Sequence, residues 1–351
     1  MININNKNLT FVVYDGIKNS VFQSQVLAPL LNELDERTDL NIKLVCFEKD
    51  LAEAKQFATT LNINPRLELI FFKKYPFFGK PSMMYAIKCF RGYLKIDSPD
   101  QIIARGPLAG YIVLKALSNK FNIPTIVQAR GLCAEEYRYS VQKTKGAIKK
   151  IWDEFIFKSM GKIEHYVYSS SKIKIEAVSP ALKDYLVKQF HAEPANILIA
   201  VRDIPKSVDK CQAVVWRGQV RDELNIPDDA TVYCYSGSFK PWQCAEQTVE
   251  CFAFEYFKDP SLFMLVLTQD IEPFKHELER LKIPASNYRI LNVQPQDLNK
   301  YLCAANFGML IREADIINWV SRPTKMLEYQ ACGLKIIHNN TVAWLAKENN
   351  A

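Results

Sequence analysis

The residues best suited to bind a ligand lie in one segment near the end of the chain, SRPTKMLEYQACGLKII at 321–337. Ser321 is of a type that caps helices and Pro323 suits a first helical turn, so a helix is predicted to begin here. The free N–H groups at a helix N-terminus attract anions, and the cationic side chains of Arg322 and Lys325 strengthen that attraction. The segment therefore predicts an anion site.

One turn of helix further on, Glu328 places a carboxylate beside this anion site. A carboxylate can accept two hydrogen bonds from the neighbouring hydroxyls of a ribose, which makes Glu328 a candidate for binding a nucleotide. The residues alone leave an alternative open, namely an ordinary capped helix in which Lys325 and Glu328 form a weak ion pair at the surface.

Several other chemistries lack their motifs. Neither GxGxxG nor GxxxxGK[ST] occurs, which argues against a dinucleotide dehydrogenase and a P-loop NTPase, and the absence of GxSxG argues against an α/β-hydrolase. No two Asp stand at i, i+2, and the four His are too dispersed to form a metal site. Any chemistry is therefore expected to use backbone dipoles and fixed cations, with no metal or other cofactor.

The composition is that of an ordinary globular protein. The chain has 351 residues, of which 48% are hydrophobic and 24% charged, and this length predicts two domains. No apolar run approaches the ~20 residues that span a bilayer, and the first residues do not have the layout of a signal peptide. The nine Cys are scattered without a CxxC pair, which is typical of reduced thiols in a cytoplasmic protein.

Positive charge is concentrated in the first part of the chain. Residues 1–205 hold 29 Lys and Arg against 20 Asp and Glu, a net charge of +9, whereas residues 206–351 hold 16 against 18, a net charge of −2. Within the first part, the segment 71–95 carries six basic and eight aromatic residues and no acid. Such a segment suits an anionic membrane interface, although core packing is an alternative and nucleic acid a weaker one. We therefore predict peripheral contact with a membrane and no binding to nucleic acid.

Short apolar segments alternate with longer helical patterns, which is typical of parallel sheets covered by helices on both faces. The segments predicted to be strands are 9–14, 42–47, 67–72, 101–104, 125–128, 173–178, 197–201, 231–236, 262–268, 288–291, 307–311 and 335–338. The helical pattern that keeps its period longest is 147–168, and further helices are predicted near 242–257, 272–282, 295–305 and 323–331. The polar stretch 205–229 keeps no period and is predicted to connect two domains. The prediction is an α/β protein with two doubly wound, Rossmann-like domains, 1–205 and 229–351, joined by a linker at 206–228.

The run P-T-K-x-x-E-Y-x-A-C-G-L (323–334) resembles the nucleotide-sugar segment of bacterial family 4 glycosyltransferases. Other segments resemble that family in the expected order: NSVFQSQV (19–26), IIARGPLAG (102–110), IVQARGLCAEEY (126–137), AVSPALKDYL (177–186) and YSGSFKPWQ (235–243). The resemblance covers nearly the whole chain. It implies a GT-B fold, in which two facing domains bind their substrates in the cleft between them.

The resemblance also implies roles for individual residues. The donor's nucleotide diphosphate is expected to be bound by these residues: Ser236, Gly237, Ser238, Lys240, Val293, Arg312, Arg322, Thr324, Lys325 and Glu328. The acceptor is expected to meet Asn19 and Ser20 in a loop, with these catalytic candidates at strand ends: Arg105, Arg130, Glu135 and Glu136. The arginines would pair with an acceptor phosphate and one carboxylate would hold or deprotonate the acceptor. A simple pair between Arg130 and Glu135 is the alternative.

The chain departs from the family's pattern at three points. The first Glu of the usual Glu-x7-Glu pair falls on Val320, and the usual Arg and Lys of the diphosphate loop fall on Ser238 and Gln243. The chain also stops sooner than most members do, so we expect the second domain to be either truncated or a divergent short form.

Together these features predict a retaining, metal-independent glycosyltransferase that moves a sugar from a nucleotide-sugar to a lipid-linked or saccharide acceptor. We expect it to act in the assembly of surface polysaccharide, in the cytoplasm at the inner face of the membrane. Because of the three departures, a catalytically degenerate GT-B protein that only binds a partner or an acceptor is the alternative.

Overall fold

The computed structural model describes residues 7–19, 22–75, 79–118, 122–142, 145–201, 204–239 and 243–348. The chain divides into two compact units, Met1–Asp203 and Ile204–Ala351. Each unit is a parallel β-sheet with helices packed around it, and each has its own hydrophobic core.

The described residues of the first unit form a seven-stranded sheet. Its strands are β1 (Asn8–Val13), β2 (Asn41–Glu48), β3 (Leu67–Lys73), β4 (Gln101–Arg105), β5 (Thr125–Ala129), β6 (Lys174–Ala177) and β7 (Ile197–Ile199). Neighbouring strands are parallel, in the order β3-β2-β1-β4-β5-β6-β7. The central strands read as nearly continuous apolar runs because both of their faces are buried.

Helices connect these strands. They are α1 (Ala28–Glu36), α2 (Leu51–Ala58), α3 (Lys80–Ile96), α4 (Gly106–Leu117), α5 (Cys133–Val141), α6 (Ala147–Tyr168) and α7 (Pro180–Phe190). A π-helical turn over Gln23–Leu27 leads into α1, and a 3-10 turn over Pro194–Asn196 leads into β7.

The described residues of the second unit form a five-stranded sheet of the same kind. Its strands are β8 (Val232–Ser236), β9 (Phe263–Leu267), β10 (Tyr288–Leu291), β11 (Phe307–Leu310) and β12 (Lys335–His338), all parallel in the order β10-β9-β8-β11-β12. The helices are α8 (Lys210–Leu224), α9 (Ala245–Tyr256), α10 (Ile271–Arg280), α11 (Leu298–Leu302), α12 (Ile316–Val320), α13 (Thr324–Ala331) and α14 (Ala343–Glu348). Two 3-10 turns lie at Ala285–Asn287 and Pro295–Asp297.

The strand order locates the ligand-binding edge of each sheet. Successive strands run outward in one direction from β1 and then in the other from β4, and the second sheet repeats this with β8 and β11. In such sheets ligands bind outside the carboxyl ends of the strands, at the point where the order reverses. The structure confirms the predicted pair of Rossmann-like α/β domains, and each of the twelve predicted strands is present.

The prediction for 205–229 was wrong in one respect, because this stretch is not irregular. Residues 210–224 form the helix α8, which begins at Asp209, whose carboxylate accepts hydrogen bonds from the backbone N–H groups of Cys211 and Gln212. The helix buries few apolar side chains and is fixed largely by the buried Arg221. Because a buried arginine replaces part of the expected apolar stripe, the hydrophobic pattern does not reveal the helix.

Candidate functional site

The candidate donor site lies at the carboxyl ends of β8 and β11, where the second sheet reverses its strand order. The loop after β8 contributes Gly237 and Ser238, the residues after β11 include Arg312, and the N-terminal turn of α13 contributes Lys325. This edge is where a ligand is expected in a doubly wound sheet.

Lys325 is the central cation of this site and is only 7% exposed. Its ammonium Nζ donates to Oε1 of Gln243 at 3.0 Å and lies 4.1 Å from the ring centroid of Tyr235. Burial lowers the pKa of Lys325 well below its usual value, and the positive charge of Arg312 lowers it further. No carboxylate forms an ion pair with Lys325 among the residues that the structure describes. A lysine in this state gains charge stabilisation when an anion binds beside it.

Glu328 lies one turn further along α13 and is half-buried. Burial raises its pKa, and the neighbouring charge of Lys325 opposes that shift. Within the described part of the chain no hydrogen bond or ion pair engages its carboxylate, so the surface ion pair with Lys325 does not form. The geometry therefore favours Glu328 as a ligand-binding residue over the alternative that the sequence left open.

A buried tyrosine fixes α13 against the sheet. The hydroxyl of Tyr329 accepts a hydrogen bond from the backbone N–H of Ser236 at 3.0 Å and approaches the carbonyl of Met309 at 3.5 Å. Its ring packs so closely on β11 that a Cβ at Gly308 would overlap it. This contact needs glycine at position 308, and it holds the turn that carries Lys325 and Glu328 in place.

The loop after β8 differs from the prediction that its backbone binds the diphosphate. The N–H of Ser236 is bonded to Tyr329, and the N–H of Gly237 donates to the carbonyl of Leu267 at 2.9 Å. Both donors thus serve the fold and are not free to bind an anion in this conformation. Gly237 has another role, because a Cβ there would lie 3.0 Å from Nζ of Lys325 and its φ of +134° is strained for other residues.

Gln243 connects this loop to Lys325, and this role was not predicted from the sequence. Its amide Nε2 donates to Oγ of Ser238 at 3.1 Å, while its Oε1 accepts from Lys325 and from the hydroxyl of Tyr235 at 3.1 Å. Ser238 is therefore bonded to Gln243 and, through its carbonyl, to the Tyr235 hydroxyl. The sequence offered one indication of this role, because Gln243 is a polar residue at a position where the glycosyltransferases that the chain resembles usually have a cation.

The other predicted donor residues lie around the same edge. The backbone of Arg312 is bonded to the side chain of Asn339, and burial lowers the pKa of its guanidinium. The guanidinium of Arg322 is buried and stacks on Trp344, 5.6 Å from its ring centroid. Thr324 is exposed as the first residue of α13, and Val293 follows β10 and packs on the core. Lys240 lies outside the described residues.

The start that the sequence predicted for α13 was wrong. Pro323 is the residue before α13, and Ser321 instead ends α12, where its hydroxyl donates to the carbonyl of Asn318 at 2.8 Å. A serine in this position suits both the end of one helix and the start of the next. The sequence could not distinguish the two because α12 is a single short turn.

The candidate acceptor residues lie at the carboxyl edge of the first sheet. Arg105, the last residue of β4, is buried, and its guanidinium donates to Oε1 of Gln25 at 2.6 Å and to the Gln25 carbonyl at 3.3 Å. Gln25 belongs to the π-helical turn after β1, which begins just past the exposed Asn19. The structure therefore joins the predicted acceptor loop to Arg105, although Ser20 lies outside the described residues.

The two predicted carboxylates have different surroundings. Glu135 forms an ion pair with Arg138 one turn further along α5, so it is occupied by a local contact. Glu136 packs against Gly131 and is exposed, yet the surrounding protein and the charge of Asp15 raise its pKa to about 7. Arg130, the residue directly after β5, is half-buried. The structure thus favours Glu136 over Glu135 as the functional carboxylate.

A further buried carboxylate, Glu164 on α6, was missed. It accepts hydrogen bonds from the backbone N–H groups of Cys133 at 2.6 Å and Ala134 at 3.4 Å, at the N-terminus of α5. Burial raises its pKa to about 8, against the effect of these two hydrogen bonds. Glu164 therefore positions the helix that carries Glu136. Its place within a helical pattern gave no sign of this role.

The raised pKa of Glu164 predicts a pH-dependent stability. A carboxyl whose folded pKa is about 8 stabilises the fold at acid pH, and this contribution is lost as pH rises from its unfolded value near 4.5 through 8. We expect Glu164→Gln to reduce this loss, because the glutamine keeps an acceptor for Cys133 without a charge. Urea unfolding at pH 5, 7 and 9 tests this, with the exposed Glu193→Gln as control. Parallel pH dependences in the wild type and the Glu164→Gln variant would contradict it.

The turn after β1 is held from β2. Oε1 of Glu48 accepts from the backbone N–H of Ile17 at 2.7 Å, and a Cβ at Gly16 would lie only 2.7 Å from Oε2 of Glu48. Nζ of Lys74 donates to the carbonyl of Tyr14 at 2.6 Å and lies 4.2 Å from the Tyr14 ring centroid. Lys74 and Glu48 are therefore structural residues of this edge, although both have the types expected in an active site.

Several aromatic residues in the described part of segment 71–95 pack in the core. Phe90 and Tyr93 of α3 are buried and stack on one another, and Phe72 packs on Phe47. Lys74 is bonded to the Tyr14 carbonyl. Core packing thus accounts for part of its aromatic content, whereas Tyr75 and Tyr85 are exposed, and residues 76–78 lie outside the described residues. Membrane contact by this segment stays a prediction.

The two Rossmann-like α/β units match the fold of solved structures of the GT-B type. A solved structure of WaaG, a glycosyltransferase involved in lipopolysaccharide biosynthesis, is similar, with 14% identity, a TM-score of 0.63 and coverage of 97% of this chain and 84% of that one. Sucrose-phosphate synthase from Thermosynechococcus elongatus is also similar, with 13% identity, a TM-score of 0.61 and coverage of 95% and 81%.

A third similar structure is HepE from Anabaena in complex with UDP and glucose, with 12% identity, a TM-score of 0.60 and coverage of 97% and 82%. No protein-family model matches the sequence, and no curated protein matches it. Identities this low establish a shared fold only.

Proposed function

We propose that the chain is a glycosyltransferase that uses a nucleotide-sugar donor, as the sequence resemblance implies. The observation that supports this most is Lys325, a buried cation without a carboxylate partner among the described residues, at the reversal point of the second sheet. Glu328 stands one turn away with its carboxylate unengaged by described residues. Together they offer a site for a diphosphate and one for a ribose, in a fold shared with a protein solved with UDP and glucose.

The donor's diphosphate would be bound by Lys325, with the guanidinium groups of Arg312 and Arg322 as further cations. In the proposed retaining reaction, the bond between the sugar's anomeric carbon and the diphosphate oxygen breaks first. Its electron pair leaves with the diphosphate, and fixed positive groups lower the barrier by stabilising the charge that develops there. Backbone near Val293 would hydrogen-bond the base. No metal ion is part of this proposal.

The acceptor would be bound by the first unit. Arg105 and Arg130 would pair with a phosphate of a lipid-linked acceptor, or with hydroxyl groups of a saccharide. Burial and the charge of Asp15 raise the pKa of Glu136 to about 7, and a pKa near neutrality suits general base catalysis. The acceptor hydroxyl would form the new bond from the face that the diphosphate leaves, and its proton would pass to the leaving phosphate or to Glu136.

One observation favours the alternative function, a GT-B protein that binds without catalysis. The backbone N–H groups of Ser236 and Gly237 are already bonded within the protein, so fewer donors face a diphosphate than the family's loop is expected to offer. Calorimetric titration with nucleoside diphosphates and nucleotide-sugars separates three outcomes. Binding together with turnover supports the enzyme, binding without turnover for every donor and acceptor supports the alternative, and no binding at all contradicts both.

The role of Glu328 can be tested by a single substitution. If its carboxylate binds the donor ribose, Glu328→Gln is expected to weaken donor binding by about 1–3 kcal/mol, the range for losing a hydrogen bond to a charged group. The stability should change little, because no described group is paired with this carboxylate. Titration calorimetry measures the affinity, and Glu279→Gln on the exposed face of α10 is the matched control. An unchanged affinity in a folded Glu328→Gln protein would assign Glu328 to the fold.

A further inference from the structure

Helix α6 has two apolar faces that point in different directions. Its buried face is formed by Ile156, Ile163 and Val167, which pack on the first unit. A second stripe is formed by Ile148, Ile151, Trp152 and Phe155, at spacings of i, i+3, i+4 and i+7. At 3.6 residues per turn the two stripes lie about 90° apart around the helix axis. The second stripe therefore does not contribute to the core.

The second stripe is exposed to solvent. The exposed fractions are 87% for Ile148, 72% for Ile151, 50% for Trp152 and 55% for Phe155. Residues 147–152 are exposed on every side, so the first turns of α6 extend beyond the body of the first unit. Large apolar side chains are normally exposed singly, and a continuous stripe of this kind marks an interaction surface.

Lysines surround this stripe. Five exposed lysines occur between positions 145 and 162: Lys145, Lys149, Lys150, Lys158 and Lys162. Two acids occur in the same range, and both are engaged. Oδ1 of the buried Asp153 accepts from the Tyr137 hydroxyl at 2.8 Å, and Glu154 pairs with Lys158 at 3.1 Å. The surface around the stripe is therefore positively charged.

We propose that the first half of α6 is a docking element for anionic membranes, with Ile148, Ile151, Trp152 and Phe155 inserted into the interface. An exposed apolar stripe with a tryptophan and flanking lysines is the pattern of a helix that lies in the plane of a membrane surface. The lysines then contact anionic headgroups. A second copy of this chain fits the face less well, because a symmetric contact would bring the same lysines together.

No described helix is both long and apolar enough to cross a bilayer, so docking through α6 would be peripheral. The inference does not rest on the proposed function, since vesicle binding is measured without donor or acceptor. The surface also differs from the 71–95 segment, in which Phe90 and Tyr93 are buried, because all four apolar side chains of the α6 stripe are exposed. The hydrophobic residues of α6 keep one continuous helical period along the sequence. The pattern alone therefore does not show that some of them are buried and others exposed.

The test is co-sedimentation of the full chain with vesicles of phosphatidylcholine alone or mixed with phosphatidylglycerol. We expect binding to the anionic vesicles that weakens as ionic strength rises, since exposed charges are screened. The double variant Ile151→Ser, Trp152→Ser should partition at least tenfold less. Phe254→Ser with Phe257→Ser is the matched control, because both aromatic side chains are similarly exposed in the second unit and should not matter.

A second readout reports insertion directly. Quenching of tryptophan fluorescence by brominated lipid should fall in Trp152→Phe, which keeps an apolar ring and should keep vesicle binding. If the serine double variant does not fold, Lys149→Glu with Lys150→Glu replaces it and should also reduce binding at least tenfold. Equal binding of the wild type and the α6 variants, or binding of neither, would overturn the proposal. The proposal would also be overturned if the wild type did not bind vesicles and instead self-associated through the exposed stripe of α6.

Discussion

Lys325→Met is expected to lower the rate of nucleotide diphosphate release by about 10²–10³, the loss seen when one preorganised group that stabilises developing charge is removed. Lys325 is the buried cation at the reversal point of the second sheet, held by Gln243 and the Tyr235 ring. Methionine keeps most of the volume and apolar length of the side chain but removes its charge. The loss should therefore affect turnover and donor binding without disrupting the surrounding packing.

The same variant is expected to be no less stable than the wild type at neutral pH. Because burial depresses the folded pKa of Lys325, this lysine contributes stability above its unfolded pKa and loses it as pH falls through the folded value. Replacing Lys325 by methionine should therefore remove the free-energy cost of burying a charged ammonium group. A bound diphosphate should raise the pKa of Lys325. Any proton uptake on binding, measured by calorimetry in buffers of different ionisation enthalpy, should therefore be larger in the wild type than in the Lys325→Met variant.

Lys335→Met is the matched control for Lys325→Met. Lys335 is exposed at the amino end of β12, on the edge of the sheet opposite the candidate site. Its substitution should leave turnover, binding and proton uptake unchanged. A Lys325→Met variant that folds and releases nucleotide diphosphate at the wild-type rate would show that Lys325 does not stabilise the leaving group.

Arg221→Leu is expected to destabilise the second unit by about 3–5 kcal/mol, the cost of disrupting a buried, hydrogen-bonded charge. The guanidinium of Arg221 is fully buried, and all five of its N–H donors are used. They contact four backbone carbonyls and one side chain at 2.7–3.1 Å: Ala304, Pro227, Asp228, Ala230 and Oδ1 of Asn306. Leucine would remove all five of these hydrogen bonds, which join α8 to the residues before β8 and β11.

Urea unfolding followed by tryptophan fluorescence measures this effect. Lys258→Leu is the control, because Lys258 pairs with Glu255 at the surface, where both side chains are exposed, and its removal should change stability little. Arg221 also shows why a lowered pKa, here about 10 because of burial, does not by itself mark a functional site. An Arg221→Leu protein as stable as the wild type would contradict the role of Arg221 in holding α8.

The strands could be predicted from sequence because a parallel strand covered on both faces reads as an uninterrupted apolar run. Leu44, Val45 and Cys46 on β2 and Leu265 and Val266 on β9 are examples, all fully buried. The twelve runs and the helical patterns between them fixed the fold class. Helix α6 was predicted with the bounds that it has, whereas α8 was missed because it is anchored by a buried arginine.

The candidate site was only partly predictable from the sequence, because some of its contacts are local and others join distant parts of the chain. Lys325 and Glu328 stand at helical spacing in a segment with a recognisable pattern, so their proximity follows from the sequence. Gln243 meets Lys325, and Tyr329 meets Ser236, only through tertiary packing, and no local pattern relates position 243 to position 325. Local sequence also cannot predict which backbone N–H groups are free to bind a ligand. The N–H of Ser236 is bonded to Tyr329, which lies 93 residues later in the chain.

Whether the protein is a glycosyltransferase is decided by measuring the release of nucleoside diphosphate from a panel of nucleotide-sugars, with a chelator present and with lipid-linked and saccharide acceptors supplied. We expect acceptor-dependent release from at least one donor in the wild type and in Lys335→Met. We also expect a loss of about 10²–10³ in Lys325→Met. Binding without release from any donor would contradict the enzyme and favour the alternative function. Release that strictly requires a divalent ion would contradict the proposed mechanism.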